Sequence, residues 1–284
     1  TQDPIDEVGY KWQNIPDMKI KNSGIEVALD YQSDRTRDFS FNIGGNISYI
    51  KNEITDSPFT IVTTGTASGA GQTGATINGY MNNQPIGNFF LREFTGIGAD
   101  GFSTYTDLNG DGQIDDSDRI SAGSAVPDIL YAFYLKFKYK NFDLGLNFNG
   151  VSGNEIYNHT RMSLFNKTQI SNSLNTTDQA IAYPNEDPSN TNTVSTRYLE
   201  NGAFLRLNNA TFAYSLNPQV IGMDKWLDNV RLSVTGQNLF IITDYTGFDP
   251  ELNTGSSSDS KSYGIDYYTY PKARTVVFGL NVSF

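Results

Sequence analysis

The sequence predicts an all-β fold, an antiparallel transmembrane β-barrel of which this chain supplies about seven spanning strands. Three observations predict it. Apolar residues recur at every second position over long stretches, the composition is rich in aromatic residues and glycine but poor in charge, and the connections alternate between short and very long.

From the N-terminus, Ile25, Val27, Leu29 and Tyr31 alternate with Glu26, Ala28, Asp30 and Gln32. Phe39, Phe41, Ile43, Gly45, Ile47 and Tyr49 alternate in the same way with Ser40, Asn42, Gly44, Asn46 and Ser48. Successive side chains of a strand point to opposite faces, so each segment is a strand with one apolar face. Ile129, Tyr131, Phe133, Leu135, Phe137 and Tyr139 make a further aromatic-rich face. After a tight turn near Asn141 come Phe142, Leu144, Leu146 and Phe148, which completes a long hairpin. Phe204 to Ser215 also reads as a strand, yet Leu205 and Leu207 have the opposite parity to Phe212 and Tyr214, so its register stays open. Val230, Leu232, Val234, Phe240 and Ile242 face away from Arg231, Ser233, Thr235 and Gln237. The chain ends on the clearest period, with Val276, Phe278, Leu280, Val282 and Phe284 set against Val277, Gly279, Asn281 and Ser283.

These strands run about 11 to 15 residues, longer than soluble strands and suited to crossing a bilayer at a tilt. Short connections lie at 33–37, 140–141 and 217–227, and long polar ones at 51–127, 154–200 and 244–272. Bacterial barrels pair short periplasmic turns with long extracellular loops, so counting back from a periplasmic Phe284 puts the chain start and all three long loops outside. Seven is odd, whereas single-chain bacterial barrels have an even count of eight or more. The chain therefore needs strands from an N-terminal portion to close. Thr1 in place of an initiating Met agrees with a processed protein or a piece of a longer one.

Composition narrows the function. The 284 residues include 26 Gly, 17 Tyr and 18 Phe with only 18% charged residues, and the mean hydropathy is −0.42. Apolar runs such as Leu239 to Ile242 are far below the roughly 18 residues of a membrane helix. A barrel strand escapes that test because it alternates lipid-facing and lumen-facing residues. The absence of Cys excludes disulfide scaffolds and thiolate metal sites. A net charge of −11 with basic residues scattered along the chain speaks against nucleic acid as a partner.

The sharpest local motif runs from Asp107 to Asp118, DLNGDGQIDDSD, within a segment, 99–127, assigned to the extracellular side. It matches the calcium-loop pattern of oxygen ligands at alternate positions with glycine at the sixth for a sharp turn. Asp107, Asn109 and Asp111 offer side-chain oxygens, Gln113 its main-chain carbonyl, Asp115 a direct or water-bridged contact, and Asp118 the closing carboxylate. Asp stands where the pattern has Glu at its twelfth position, a shorter arm that offers one oxygen more readily than two. A solvated acidic turn is the alternative. No catalytic constellation accompanies it. His159 is the only histidine and reads as a surface imidazole in a polar loop, without partners for a triad or a zinc site. Gly65 to Gly74 lacks the Gly-Lys-Ser/Thr ending of a phosphate loop and reads as a flexible extracellular loop.

Taken together, several segments resemble the C-terminal barrel of the SusC-like TonB-dependent outer-membrane transporters. They are the calcium-type loop with GSAVPD from Gly123, NFDLGLNFNGVSGNEIYN from Asn141, NGAFLRLNNATFAYSLN from Asn201, VRLSVTGQNLFIITDYTGFDPE from Val230, and YPKARTVVFGLNVSF at the end. The resemblance implies a barrel of about 22 strands, with a plug and N-terminal strands absent from this chain. It also implies the outer membrane of a Gram-negative bacterium of the Bacteroidetes type and energy from the TonB complex through the missing N-terminal region. The implied partner is a SusD-like surface lipoprotein that captures glycans or peptides, and Phe284 occupies the terminal aromatic position that signals barrel assembly. On that reading the protein imports nutrients and is not an enzyme. Tyr263, Tyr267, Tyr268 and Tyr270 are candidates to stack on cargo, and Tyr157, Phe165, Tyr183 and Tyr198 join Tyr263 and Tyr267 as candidate anchors for the lipoprotein. A passive porin or adhesin-like barrel and a soluble calcium-dependent carbohydrate-binding β-domain are the competing readings.

Overall fold

The structure is a computed structural model that describes residues 16–67, 72, 74–164, 166–174, 176–223, 225–252 and 262–284, apart from the side chains of Gln179 and Ile221. Phe165, one of the candidate anchors, lies outside the described residues, as does part of the Gly65 to Gly74 stretch. In chain order the first strands are β1 (Lys19–Gln32), β2 (Phe39–Thr55), β3 (Val62–Thr66), β4 (Thr76–Tyr80) and β5 (Asn88–Arg92). Then come β6 (Phe94–Ile97), β7 (Ser103–Tyr105), β8 (Arg119–Ser124), β9 (Ile129–Tyr139) and β10 (Phe142–Ser152). The chain continues through β11 (Glu155–Tyr157), helices α1 (His159–Leu164) and α2 (Lys167–Ser171), β12 (Leu199–Asn201) and β13 (Phe204–Leu216), and closes on β14 (Asn229–Thr243) and β15 (Thr275–Ser283).

Seven of these strands form one open sheet in the order β1-β2-β9-β10-β13-β14-β15, with each neighbouring pair antiparallel. They are the seven strands read from the alternation. Among the described residues β1 and β15 are free edges and do not pair with one another. One face is continuously apolar because cross-strand pairing keeps the parities together. Leu144 lies opposite both Phe137 and Phe212, Phe212 opposite Val234, and Val234 opposite Phe278. These side chains have no protein over them: Leu29, Phe278 and Leu280 are 76%, 79% and 67% exposed. An apolar face of that extent, on strands long enough to cross a bilayer, suits lipid. Aromatic neighbours pair across it, with Phe133 and Phe148 stacked at 4.6 Å and Phe142 and Phe212 at 5.8 Å. Tyr131 closes over Gly150, where an added Cβ would collide with its ring, and donates to the Phe204 carbonyl at 3.0 Å.

The opposite face is polar. Arg231 donates to Asp143 at 2.6 Å, Lys136 sits over the Tyr134 ring at 4.8 Å, and Thr211 and Thr235 share a hydroxyl bond at 2.9 Å. The open parity of β13 resolves at Asn208. Asn147 pairs with Asn209 but the next residue, Phe148, pairs with Leu207, so Asn208 is an extra residue against β10. This bulge puts Leu205 and Leu207 on the same side as Phe212 and Tyr214 in spite of their sequence parity. Asn238, at φ 52°, lies in the facing stretch of β14, where the register shifts as well.

The three long connections leave the same end of the sheet and fold together. β3-β4-β5-β8 make a second, four-stranded sheet, β6 and β7 a hairpin, and β11 and β12 a short pair. Their buried core joins Ala67, Ile77, Phe89 and Leu91 from the first connection, Tyr157, Met162, Val194 and Tyr198 from the second and Ile265 from the third. No one connection holds enough apolar residues to bury itself, and together they make a small domain. Two readings of the sequence are corrected here. The Gly65 to Gly74 stretch is not simply a flexible loop, because its described part includes the end of β3, with Thr66 paired to Thr76 and Ala67 in the core. His159 is not a surface imidazole; it is fully buried, with its ring 4.7 Å from Tyr267 and its Nδ1 3.2 Å from the Ser163 hydroxyl.

Candidate functional site

The calcium-type loop spans the gap between β7 and β8, on the outer edge of this domain. Consecutive side-chain oxygens take the main-chain N–H groups of the loop. Asp107 accepts from Gly110 at 2.7 Å and Gly112 at 2.9 Å, Asn109 from Asp111 at 2.9 Å, and Asp111 from Gln113 at 2.8 Å. Short polar side chains stabilise tight turns in this way. Gly112 supplies φ 80° at the sixth position, a conformation that a Cβ would strain. The loop ends in a reciprocal cap: Asp115 accepts from Ser117 at 2.8 Å, and Asp118 accepts from Asp115 at 2.9 Å and from Leu108 at 2.8 Å. These N–H bonds hold both carboxyls below the usual carboxylate range, Asp115 chiefly through Ser117 and Asp118 chiefly through Asp115.

The predicted oxygen donors therefore sit in one loop, wound about their own side chains. Among the described residues no three His, Cys, Asp or Glu side chains are grouped closely enough to hold a metal ion. What fits a hard cation is the donor set, all oxygen, and the turn geometry.

Reasoning from sequence missed the cluster beside this loop. Arg92 and Arg119 lie directly opposite one another on β5 and β8. Arg119 is nearly buried and donates to the Phe90 carbonyl at 2.9 Å through Nε and to the Thr76 hydroxyl at 3.3 Å. Burial lowers its pKa from the ordinary arginine value, Asp116 opposes that shift and Arg92 adds to it. Arg92 donates through Nε to the Asp115 carbonyl at 3.1 Å and through Nη2 to Asp116 at 3.3 Å. β5 is held against the second connection by an Arg92–Ser195 bridge, and the start of β6 by the Phe94 N–H on the Thr196 hydroxyl at 3.0 Å. Only the position of Arg119, one residue past the acidic loop, hinted at this in the sequence.

A second ion pair lies within the second connection, and a ring of the first packs against it. Arg197 forks onto Glu186 with bonds of 2.6 and 2.7 Å, and its guanidinium lies 5.2 Å from the Phe94 ring and 5.0 Å from the Tyr183 ring. Burial raises the Glu186 pKa, but Arg197 and the Asn190 amide at 2.7 Å outweigh it and leave the carboxyl lowered. Among the predicted aromatic anchors, Tyr157 and Tyr198 are fully or almost fully buried and serve as core, not as an outer surface. Tyr183, Tyr263 and Tyr267 are half-buried, whereas Tyr268 and Tyr270 are exposed. Phe284 is 87% exposed directly after β15, on the apolar side of that strand by parity.

No family model matches the chain. It is 32% identical over 98% of its length to TonB-dependent receptor P3 of Formosa agariphila, of which it spans 30%. It is 28% identical over 96% of its length to TonB-dependent receptor SusC of Bacteroides thetaiotaomicron, of which it spans 27%. Among solved structures, that of the RagAB peptide transporter superposes with a TM-score of 0.74 at 21% identity, over 93% of this chain and 29% of that one. The chain thus spans less than a third of the length of these relatives, and its seven-stranded sheet is a portion of their barrel. With that fold, and with identity to named receptors running across nearly its whole length, the chain is similar to a portion of the TonB-dependent receptors, SusC among them.

Proposed function

We propose that the protein to which this chain belongs imports nutrients across the outer membrane of a Gram-negative bacterium of the Bacteroidetes type. One observation carries the reading: a sheet with a lipid-type face is crowned at one end by a domain that all three long connections build together. A passive pore needs no such crown, whereas a receptor that must recognise its cargo does. The crown is then the extracellular side and the short turns the periplasmic side. The polar inner face, with Lys136, Lys138, Arg231 and Asp143 lining a concavity of about 560 Å³, lies along the path of the cargo. The chain contributes a path and a binding surface, and no bond chemistry is assigned to it.

The cargo class is glycans or peptides, peptides being favoured by the likeness to a peptide transporter. The partner is a SusD-like surface lipoprotein seated on the crown, and the energy comes from the TonB complex. Exposed apolar side chains of the second connection, Ile170, Leu174 and Ile181, and the exposed Tyr268 and Tyr270 suit that interface. Calcium is proposed at Asp107, Asn109, Asp111, Gln113, Asp115 and Asp118, where it would neutralise the loop and stiffen the edge of the crown. Phe284 is proposed as the assembly signal.

Co-purification and uptake test the reading together. The full-length receptor extracted from its native membrane is expected to bring down one surface lipoprotein, and cells lacking the TonB complex are expected to stop accumulating labelled oligopeptides or oligosaccharides. Uptake that continues without TonB, with no lipoprotein attached, would turn the assignment to a passive porin.

A further inference from the structure

Two arginines placed directly opposite each other on adjacent antiparallel strands repel, and such like-charge pairs destabilise a sheet unless something offsets them. In the crown Arg92 and Arg119 are such a pair, and they line one polar cavity of about 360 Å³. That size falls among small-molecule sites, which run from about 300 to 1,000 Å³. The anion they share is Asp116, 3.3 Å from Arg92 and 4.0 Å from Arg119, and its side chain is 84% exposed. An ion pair so open to water is screened and worth little. Arg119 is committed to the Phe90 and Thr76 oxygens, which fixes it in place. Arg92 is committed through Nε and Nη2, while its Nη1 makes no hydrogen bond to any described residue. Its side chain is a quarter exposed, so it can be reached from the cavity. Thr63, Thr76 and Thr193 add hydroxyl groups to the same walls.

We propose that this cavity is an oxyanion-binding site, taking a carboxylate or sulfate group of an extracellular ligand between Arg92 and Arg119. A guanidinium fork matches both groups. The threonine hydroxyls complete the donor set around the second arginine, and Asp116 competes with the ligand for the same charge. The extracellular source of the ligand rests on the proposed orientation of the crown, whereas its binding is read at equilibrium, apart from import.

The experiment is equilibrium dialysis of the full-length receptor in detergent against labelled sulfate and labelled glucuronate at fixed ionic strength, with labelled glucose as the uncharged control. Retention of either anion above glucose supports the site, and the anion retained identifies the group it takes. Arg92→Gln is expected to weaken retention about tenfold, as the loss of a charge-assisted bond does. Asp116→Asn is expected to tighten it about two- to fivefold by removing an exposed competitor. That gain distinguishes a binding role from a structural one, and it decides the matter if Arg92→Gln fails to fold as judged by heat-modifiable mobility. Anion retention no higher than glucose, or an Asp116→Asn variant that binds more weakly than the parent, would overturn the proposal.

Discussion

Replacing Val234 by arginine puts a charge on the outer face of β14, between Phe212 on one neighbouring strand and Phe278 on the other. The outward residues of β14 run from Val230 to Ile242, so the middle of the apolar band falls near Gly236. A rise of about 3.4 Å per residue, tilted by about 40°, gives about 2.6 Å of height per residue. Val234 is then about 5 Å from the bilayer centre and Leu232 about 10 Å, inside a band about 25 Å tall. Arginine at such a depth costs about 2–4 kcal/mol near the centre and falls to about 1 kcal/mol or less toward the interface. Val234→Arg is therefore expected to destabilise strongly and Leu232→Arg weakly. Gln237→Arg is the control: it sits at nearly the same height, is exposed on the inner face opposite Asn209, and is expected to cost less than about 0.5 kcal/mol. The assay is urea-dependent folding of the full-length receptor into lipid vesicles, read by heat-modifiable mobility. Equal losses for Val234→Arg and Gln237→Arg would refute the assignment of faces, and a larger loss at Leu232 than at Val234 would refute the placement in depth.

Four further outcomes follow from the crown. Arg197→Met leaves Glu186 buried without its partner and is expected to cost the crown about 3–5 kcal/mol, measured as faster amide exchange in residues 154–200 with the barrel strands unchanged. Because the folded Glu186 carboxyl lies below its ordinary value of about 4.3, the stability it lends is complete above that pH and is lost as the pH falls through the lower, folded value. A crown Tm that stays flat from neutral pH toward about 4.5 and drops below it only when Glu186 is present checks the sign. Deleting residues 160–195 removes Met162 and Val194 from the shared core, so the barrel is expected to insert while the crown unfolds and the surface lipoprotein is lost; retention of that lipoprotein at the wild-type yield would contradict it. Calcium is expected to protect the 107–118 loop from proteolysis in the parent protein and not in Asp111→Ala, and equal protection in both would count against the ion.

The alternation of Val276 to Phe284 and of Ile25 to Tyr31 is a local property, because the side-chain direction of a strand depends only on counting by two. For that reason the sequence alone determined seven strands, the outward faces of six of them, the shared end of the three long connections and the calcium-type spacing at Asp107 to Asp118. The register of β13 was not legible, since the extra residue at Asn208 shows itself only against β10. The crown was hidden for the same reason. Its core brings Ile77, Tyr157 and Ile265 together from three connections, each too polar to show an apolar period of its own. Tyr157, Tyr198 and His159 look like surface residues within a polar stretch and become interior only when another connection covers them. Arg92 and Arg119 belong to one site because β5 pairs with β8 across an intervening hairpin and loop. Local periodicity thus decided the barrel wall, and long-range pairing, whose partners no single stretch of sequence names, decided the domain above it.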